Sequence, residues 1–171
     1  MDLKLLKLKS TILWLRLSGK IRRQDHPVEL PLRPLGTRAV LIIFPLTANE
    51  FHTAIKMLYT FLERLDHQRR VVLLIAQDNY RPDLPFSHQI IQFDPEHLIE
   101  LKLQGIFDLV IDLNRGFNWP VARFVSGITA PYKAGFSSEL ADVFYNLQYV
   151  SPSGATPERD YEFFQTLMDP S

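Results

Sequence analysis

Glu50 is the residue best placed to do chemistry. It follows an apolar run, residues 38–44 (RAVLIIF), that reads as a buried strand ended by Pro45. Open α/β sheets gather their ligands outside the carboxyl ends of strands, so a carboxylate there could take the proton from an acceptor hydroxyl. Thr47 stands three residues earlier and offers a second reading, a capping box that satisfies the first turn of the following helix. Local spacing favours the cap. Arg115 is the other candidate. It follows the run Leu109-Val110-Ile111 and precedes a helix-like segment, so with Gly116 it could hold an anion at a helix N-terminus. A solvent-facing turn residue is the simpler alternative.

Other chemistries find no support. His26, His52, His67, His88 and His97 show neither H-x-x-x-H nor H-E-x-x-H spacing, so no metal site is expected. His52 lies two residues from Glu50, which puts the two on different helix faces. There is no G-x-S-x-G elbow. The turn at residues 45–49 (PLTAN) lacks glycine, so a backbone cradle for a pyrophosphate is missing and no cofactor is expected. The chain has no cysteine, which excludes a thiolate nucleophile or metal ligand and suits a cytoplasmic location. Zero net charge disfavours nucleic acid as a partner.

The elements that would position Glu50 and Arg115 alternate between strand and helix. Residues 107–136 carry the clearest signal: an apolar strand, the turn Asn114-Arg115-Gly116, a helix from about Trp119 to Val125 with Gly127 as its stop, and a strand over 130–136. Ahead of them come the strand at 38–44 and a helix with Phe51, Ala54, Ile55, Leu58, Phe61, Leu62 and Leu65 at three- and four-residue spacing. Strands at 70–76 and 89–93 follow, then a helix opened by Asp94-Pro95 and closed by Gly105. A short helix at 139–145 and a last one from Thr156-Pro157-Glu158 to about Met168 close the chain, with Tyr161, Phe164 and Leu167 on the buried side of the last. With 171 residues and 46% hydrophobic composition, this predicts one Rossmann-like domain, three-layer α/β/α, with a largely parallel sheet of about five strands. The boundaries are 1–37 for an arm and proline-rich connector, 38–150 for the domain, and 151–171 for a linker and C-terminal helix.

The arm concentrates the positive charge. Residues 1–23 hold Lys4, Lys7, Lys9, Arg16, Lys20, Arg22 and Arg23 against Asp2 alone; seven minus one is +6, which leaves −6 for the rest. As a helix it puts Leu3, Leu6, Ser10, Leu13, Leu17 and Ile21 on one side and Leu5, Leu8, Ile12 and Leu15 on another. One reading lays it on an anionic membrane surface with Trp14 at the interface, making the protein membrane-peripheral. The other docks it on its own domain or on a protein partner. No apolar run approaches the ~20 residues that span a bilayer.

Taken in order, residues 107–113 (FDLVIDL), Ser126-Gly127 and Lys133-Ala134-Gly135-Phe136 resemble the N-terminal half of a GT-B glycosyltransferase of family nine, the lipopolysaccharide heptosyltransferases. The resemblance covers roughly 38–168. It implies an acceptor-side half, with the chain ending where the family continues into a donor-binding domain. It also marks ligand-binding positions: Thr47 and Asn49 in the turn before Glu50, then Asn114, Arg115 and Asn118. Glu50 would be the catalytic base. Departures accompany the match. Phe44 stands where the family has a basic residue, Asn49-Glu50 where it has Gly-Asp, Asn114-Arg115 where it has Gln-Gly, and Asn118 where it has arginine. The resemblance therefore implies a non-catalytic binding or scaffolding module, or else half of a split glycosyltransferase whose donor domain is a separate chain. The aromatics of the C-terminal helices would then form a partner surface.

Overall fold

In β1 (Ala39–Ile43) the side chains alternate between two cores. Ala39, Leu41 and Ile43 join one cluster, Val40 and Ile42 the other, and all five are buried. A strand can be apolar at every position only where both sheet faces are covered, which is how parallel sheets are built. The computed structural model describes residues 3–19, 39–66, 70–75, 89–92 and 107–168. It adds β2 (Arg70–Ile75), β3 (Gln89–Gln92), β4 (Leu109–Asp112), β5 (Tyr132–Phe136) and β6 (Leu147–Tyr149). The six strands lie in the order β3-β2-β1-β4-β5-β6, every neighbouring pair parallel. This is a Rossmann strand order, and its direction of growth reverses between β1 and β4.

The helices form the outer layers. On one face α2 (Ala48–Asp66) and α4 (Pro157–Met168) cover the sheet through Phe51, Ala54, Leu58, Phe61, Leu62, Tyr161 and Phe164. On the other lie α1 (Leu3–Leu17), through Ile12 and Leu15, and α3 (Trp119–Gly127), through Val121, Ala122, Phe124 and Val125. The chain is thus an α/β Rossmann-like fold with a parallel sheet, as its sequence pattern predicts. The expected helix at 94–105, the connector at 24–37 and the side chain of Leu167 lie outside the described residues.

Two local expectations change. The segment at 139–145 is not a helix beyond a 3₁₀ turn at Ala141–Val143. Leu140, Ala141, Val143, Phe144 and Tyr145 are all buried, and a one-sided surface helix cannot bury five of six consecutive residues. Asn146 then pins the segment to β5: its Oδ1 accepts from the Lys133 N–H at 2.7 Å and its Nδ2 donates to the Pro131 carbonyl at 2.7 Å. This sets up β6, the strand beyond the expected five; three residues are too few to show a period. Gly135 on β5 admits the Tyr145 ring: a Cβ there would stand 2.9 Å from its Cδ1.

Among the described residues the buried polar ones are Asp112, Asn114, Lys133 and Asp160. Three belong to networks described below. Lys133, on β5, is 3% exposed, its ammonium makes no ion pair or hydrogen bond among the described residues, and burial lowers its pKa from 10.5 to about 8. A lysine whose folded pKa lies below its unfolded one costs stability fully below the folded value. The cost fades as pH rises from about 8 to 10.5. Lys133→Met, close in volume, should therefore stabilise the fold by about 1–2 kcal/mol at pH 7. The gain should shrink towards nothing near pH 10.5; thermal melts at neutral and alkaline pH check both the sign and the trend.

Candidate functional site at the carboxyl ends of β1 and β4

The topology brings the two candidate residues to one place. Glu50 sits in the first turn of α2, just after β1, and Arg115 in the turn after β4, beside the point where strand order reverses. Arg115 Nη1 lies 4.0 Å from Glu50 Oε1, and both side chains are 28% exposed. The Thr47 hydroxyl donates to Glu50 Oε2 at 3.1 Å, and the Thr47 carbonyl accepts the Phe51 N–H. Thr47 and Glu50 thus meet at the start of α2, where a carboxylate also suits the helix dipole.

Arg115 is not a turn residue turned to solvent. Its Nε donates to Asp160 Oδ2 at 2.7 Å and its Nη2 to the Ala155 carbonyl at 3.1 Å. Asp160 belongs to the first turn of α4 and its side chain is fully buried. Ser151 donates to both of its oxygens, at 2.8 and 3.0 Å. One guanidinium thereby joins the β4 turn, the segment before α4 and α4 itself, with Glu50 at its free edge. Tyr161, next along α4, is buried, and its hydroxyl has no partner among the described residues. Burial, then the Glu50 carboxylate, push that phenol far up, with Arg115 pulling the other way.

A second network lies behind the first. Asp112 ends β4, and its Oδ1 accepts from the Asn114 N–H at 3.0 Å and from Asn114 Nδ2 at 2.6 Å. Its Oδ2 accepts from the Tyr145 hydroxyl at 2.5 Å. Asn114 Oδ1 accepts the Leu46 N–H at 3.0 Å, which ties the loop after β1 to the loop after β4. Burial raises the Asp112 pKa, while the donors from Tyr145 and Asn114 draw it back. Burial and the Asp112 charge push the Tyr145 phenol well above its usual value.

The remaining candidates have other placements. Asn118 is the N-cap of α3: its Oδ1 accepts the Val121 N–H at 3.1 Å, with Pro120 in the first turn. Asn49 is exposed in the first turn of α2. Lys7, Lys9, Trp14 and Arg16 ride on α1, where Lys9 Nζ meets Glu139 Oε2 at 2.7 Å; Lys4 lies on the same helix. Lys20, Arg22 and Arg23 lie outside the described residues. No group of three or more acidic or histidine side chains that could hold a metal occurs among the described residues. Nor is any described helix long and apolar enough to cross a membrane.

The sequence marked none of Asp160, Ser151 and Asp112 as site residues, and it pointed to Tyr145 and Tyr161 only as core aromatics. A signal for Asp160 did exist: it stands four residues before Phe164 and beside Tyr161, on the apolar side of its helix. An acid on a buried face needs a cation or several donors.

No protein-family model matches the sequence, and no curated protein matches it significantly. Solved structures do resemble the fold. A glycosyl transferase family 9 protein from Veillonella parvula DSM 2008 superposes with a TM-score of 0.57 at 14% identity, over 86% of this chain and 42% of that one. The heptosyltransferase WaaC of E. coli, solved with ADP, gives a TM-score of 0.55 at 14% identity, over 75% of this chain and 46% of that one. The chain therefore shares its fold with glycosyltransferase family 9 structures and spans less than half the length of either.

Proposed function

We propose that this chain is a non-catalytic relative of the acceptor-side half of family 9 glycosyltransferases, working as a binding or scaffolding module. The observation that supports this reading is the commitment of Arg115. At the strand ends where a transferase would receive its acceptor, the guanidinium is spent on Asp160 and the Ala155 carbonyl. Asn114 is likewise spent on Asp112 and the Leu46 N–H. Side chains that hold one another are poor ligands for a sugar hydroxyl or a phosphate. Glu50 then has a structural place: it accepts the Thr47 hydroxyl in the first turn of α2, where its charge suits the helix dipole, although neither side chain takes a backbone N–H of a capping box among the described residues.

A second reading keeps Glu50 as a base in a split transferase completed by a separate donor-binding chain. What favours it is the partial exposure of Glu50, whose charge bears on the Tyr161 hydroxyl, a group with no partner among the described residues.

Calorimetry with ADP- and UDP-sugars should detect no micromolar binding by the purified chain; a clear binding isotherm would overturn the non-catalytic reading. Glu50→Gln keeps an acceptor for Thr47 and should leave the melting temperature nearly unchanged, whereas Glu50→Ala should cost about 0.5–1 kcal/mol. Loss of a cellular activity in Glu50→Gln with unchanged melting would favour the base instead.

A further inference from the structure

Helix α1 has two apolar faces. Ile12 and Leu15 are buried in the core beneath α1, and Leu8 packs against the same cluster. At 100° per residue Leu6, Leu13 and Leu17 fall on the opposite side, and they are 45%, 58% and 79% exposed. Trp14, 58% exposed, lies next to them. A helix docked by one face ordinarily turns polar residues to water. Here leucines in line and an indole hold the outer face, along roughly 17 Å of helix.

The charges around that strip say what it meets. Lys7 borders it on the Trp14 side and Arg16 on the other, both exposed. Lys9 is engaged with Glu139 at the seam between α1 and the body. Residues 1–23 carry +6 and the remainder −6, so an anionic surface attracts the arm, repels the body and orients the molecule with α1 towards it. An apolar strip with an indole, edged by lysine and arginine, is the pattern of a helix lying in a lipid interface.

We infer that the outer face of α1 seats on an anionic lipid surface. Leu6, Leu13, Leu17 and Trp14 enter the headgroup boundary, Lys7 and Arg16 pair with lipid phosphates, and Ile12 and Leu15 keep hold of the protein. Docking on the domain and binding to lipid are thus not alternatives, because they use opposite faces of one helix. The inference does not depend on the reading of the strand-end site.

The test uses the full chain and the double variant L13S/L17S, whose altered side chains are exposed and leave the core untouched. Both are co-sedimented with vesicles of phosphatidylcholine, alone and with about a third phosphatidylglycerol, at low and physiological salt. The unaltered chain should sediment with the anionic vesicles, less so at physiological salt, where charges are screened beyond ~8 Å. L13S/L17S should partition at least about tenfold more weakly while melting at an unchanged temperature. Equal sedimentation of the two proteins overturns the inference, as does no sedimentation of the unaltered chain. So does a dimer in light scattering that L13S/L17S dissolves while neither protein binds vesicles, since the strip would then serve a second copy.

Discussion

Arg115→Met should be the most damaging substitution at the strand ends, lowering stability by about 3–5 kcal/mol. The reason lies in its partner. Asp160 is fully buried, and without the guanidinium its carboxylate keeps only neutral side-chain donors, the Ser151 hydroxyl and the Tyr149 phenol. Breaking a buried pair from one side strands a charge, which costs far more than the pair itself contributes. In a chain of this length the loss corresponds to a fall in melting temperature of about 6–20 °C. The contact with Glu50, at 4.0 Å and 28% exposure, contributes little by comparison. Removing Asp160 as well should return much of the loss, so Arg115→Met with Asp160→Asn should melt well above Arg115→Met alone. A double-mutant cycle followed by thermal melting measures this coupling. If Arg115→Met melted within about a degree of the unaltered chain, the guanidinium would not be what fastens α4 to the β4 turn, and Arg115 would regain its claim as a ligand-binding residue.

The contrast between Glu50 and Arg115 shows what the sequence could and could not reveal. The Thr47–Glu50 relation is three residues long and is legible from spacing alone. Arg115 and Asp160 stand 45 residues apart, and no local periodicity links them; only the strand order brings the β4 turn against α4. The centre of the sheet was legible because its strands are apolar over whole runs, as residues 39–43 and 109–111 are. The 139–149 segment was not, because it is shaped by tertiary partners: Asn146 on β5, and Tyr145 over Gly135 and onto Asp112. The arm was legible in an instructive way. Its two leucine stripes compete in any sequence-based choice of a buried side, and the structure uses the Ile12–Leu15 stripe for the core while leaving Leu13 and Leu17 outside.

Tyr145→Phe should cost about 2–3 kcal/mol at pH 7, and the cost should shrink on acidification. The ring stays against Gly135, so packing changes little; what disappears is the hydroxyl that donates to Asp112. Burial already raises the folded pKa of Asp112 above the usual 3.8, and the Tyr145 hydrogen bond is the strongest influence drawing it back. Removing that donor raises it further. A carboxyl whose folded pKa exceeds its unfolded one stabilises the fold fully only below the unfolded value, and loses that contribution as pH rises through the folded one. The variant, with the higher folded pKa, goes on losing it to a higher pH and so loses more. The difference between the two proteins is therefore largest at neutral pH and narrows as pH falls through the raised Asp112 pKa towards about 4. The Tyr145 phenol, itself pushed well above its usual value, stays protonated throughout this range and adds no titration of its own. Urea unfolding of both proteins across a series from pH 7 down to about pH 4 measures the effect. A difference that stays constant or grows over that whole range would mean that Asp112 is not the charged acceptor, and that Tyr145 holds the β4 end by its ring alone.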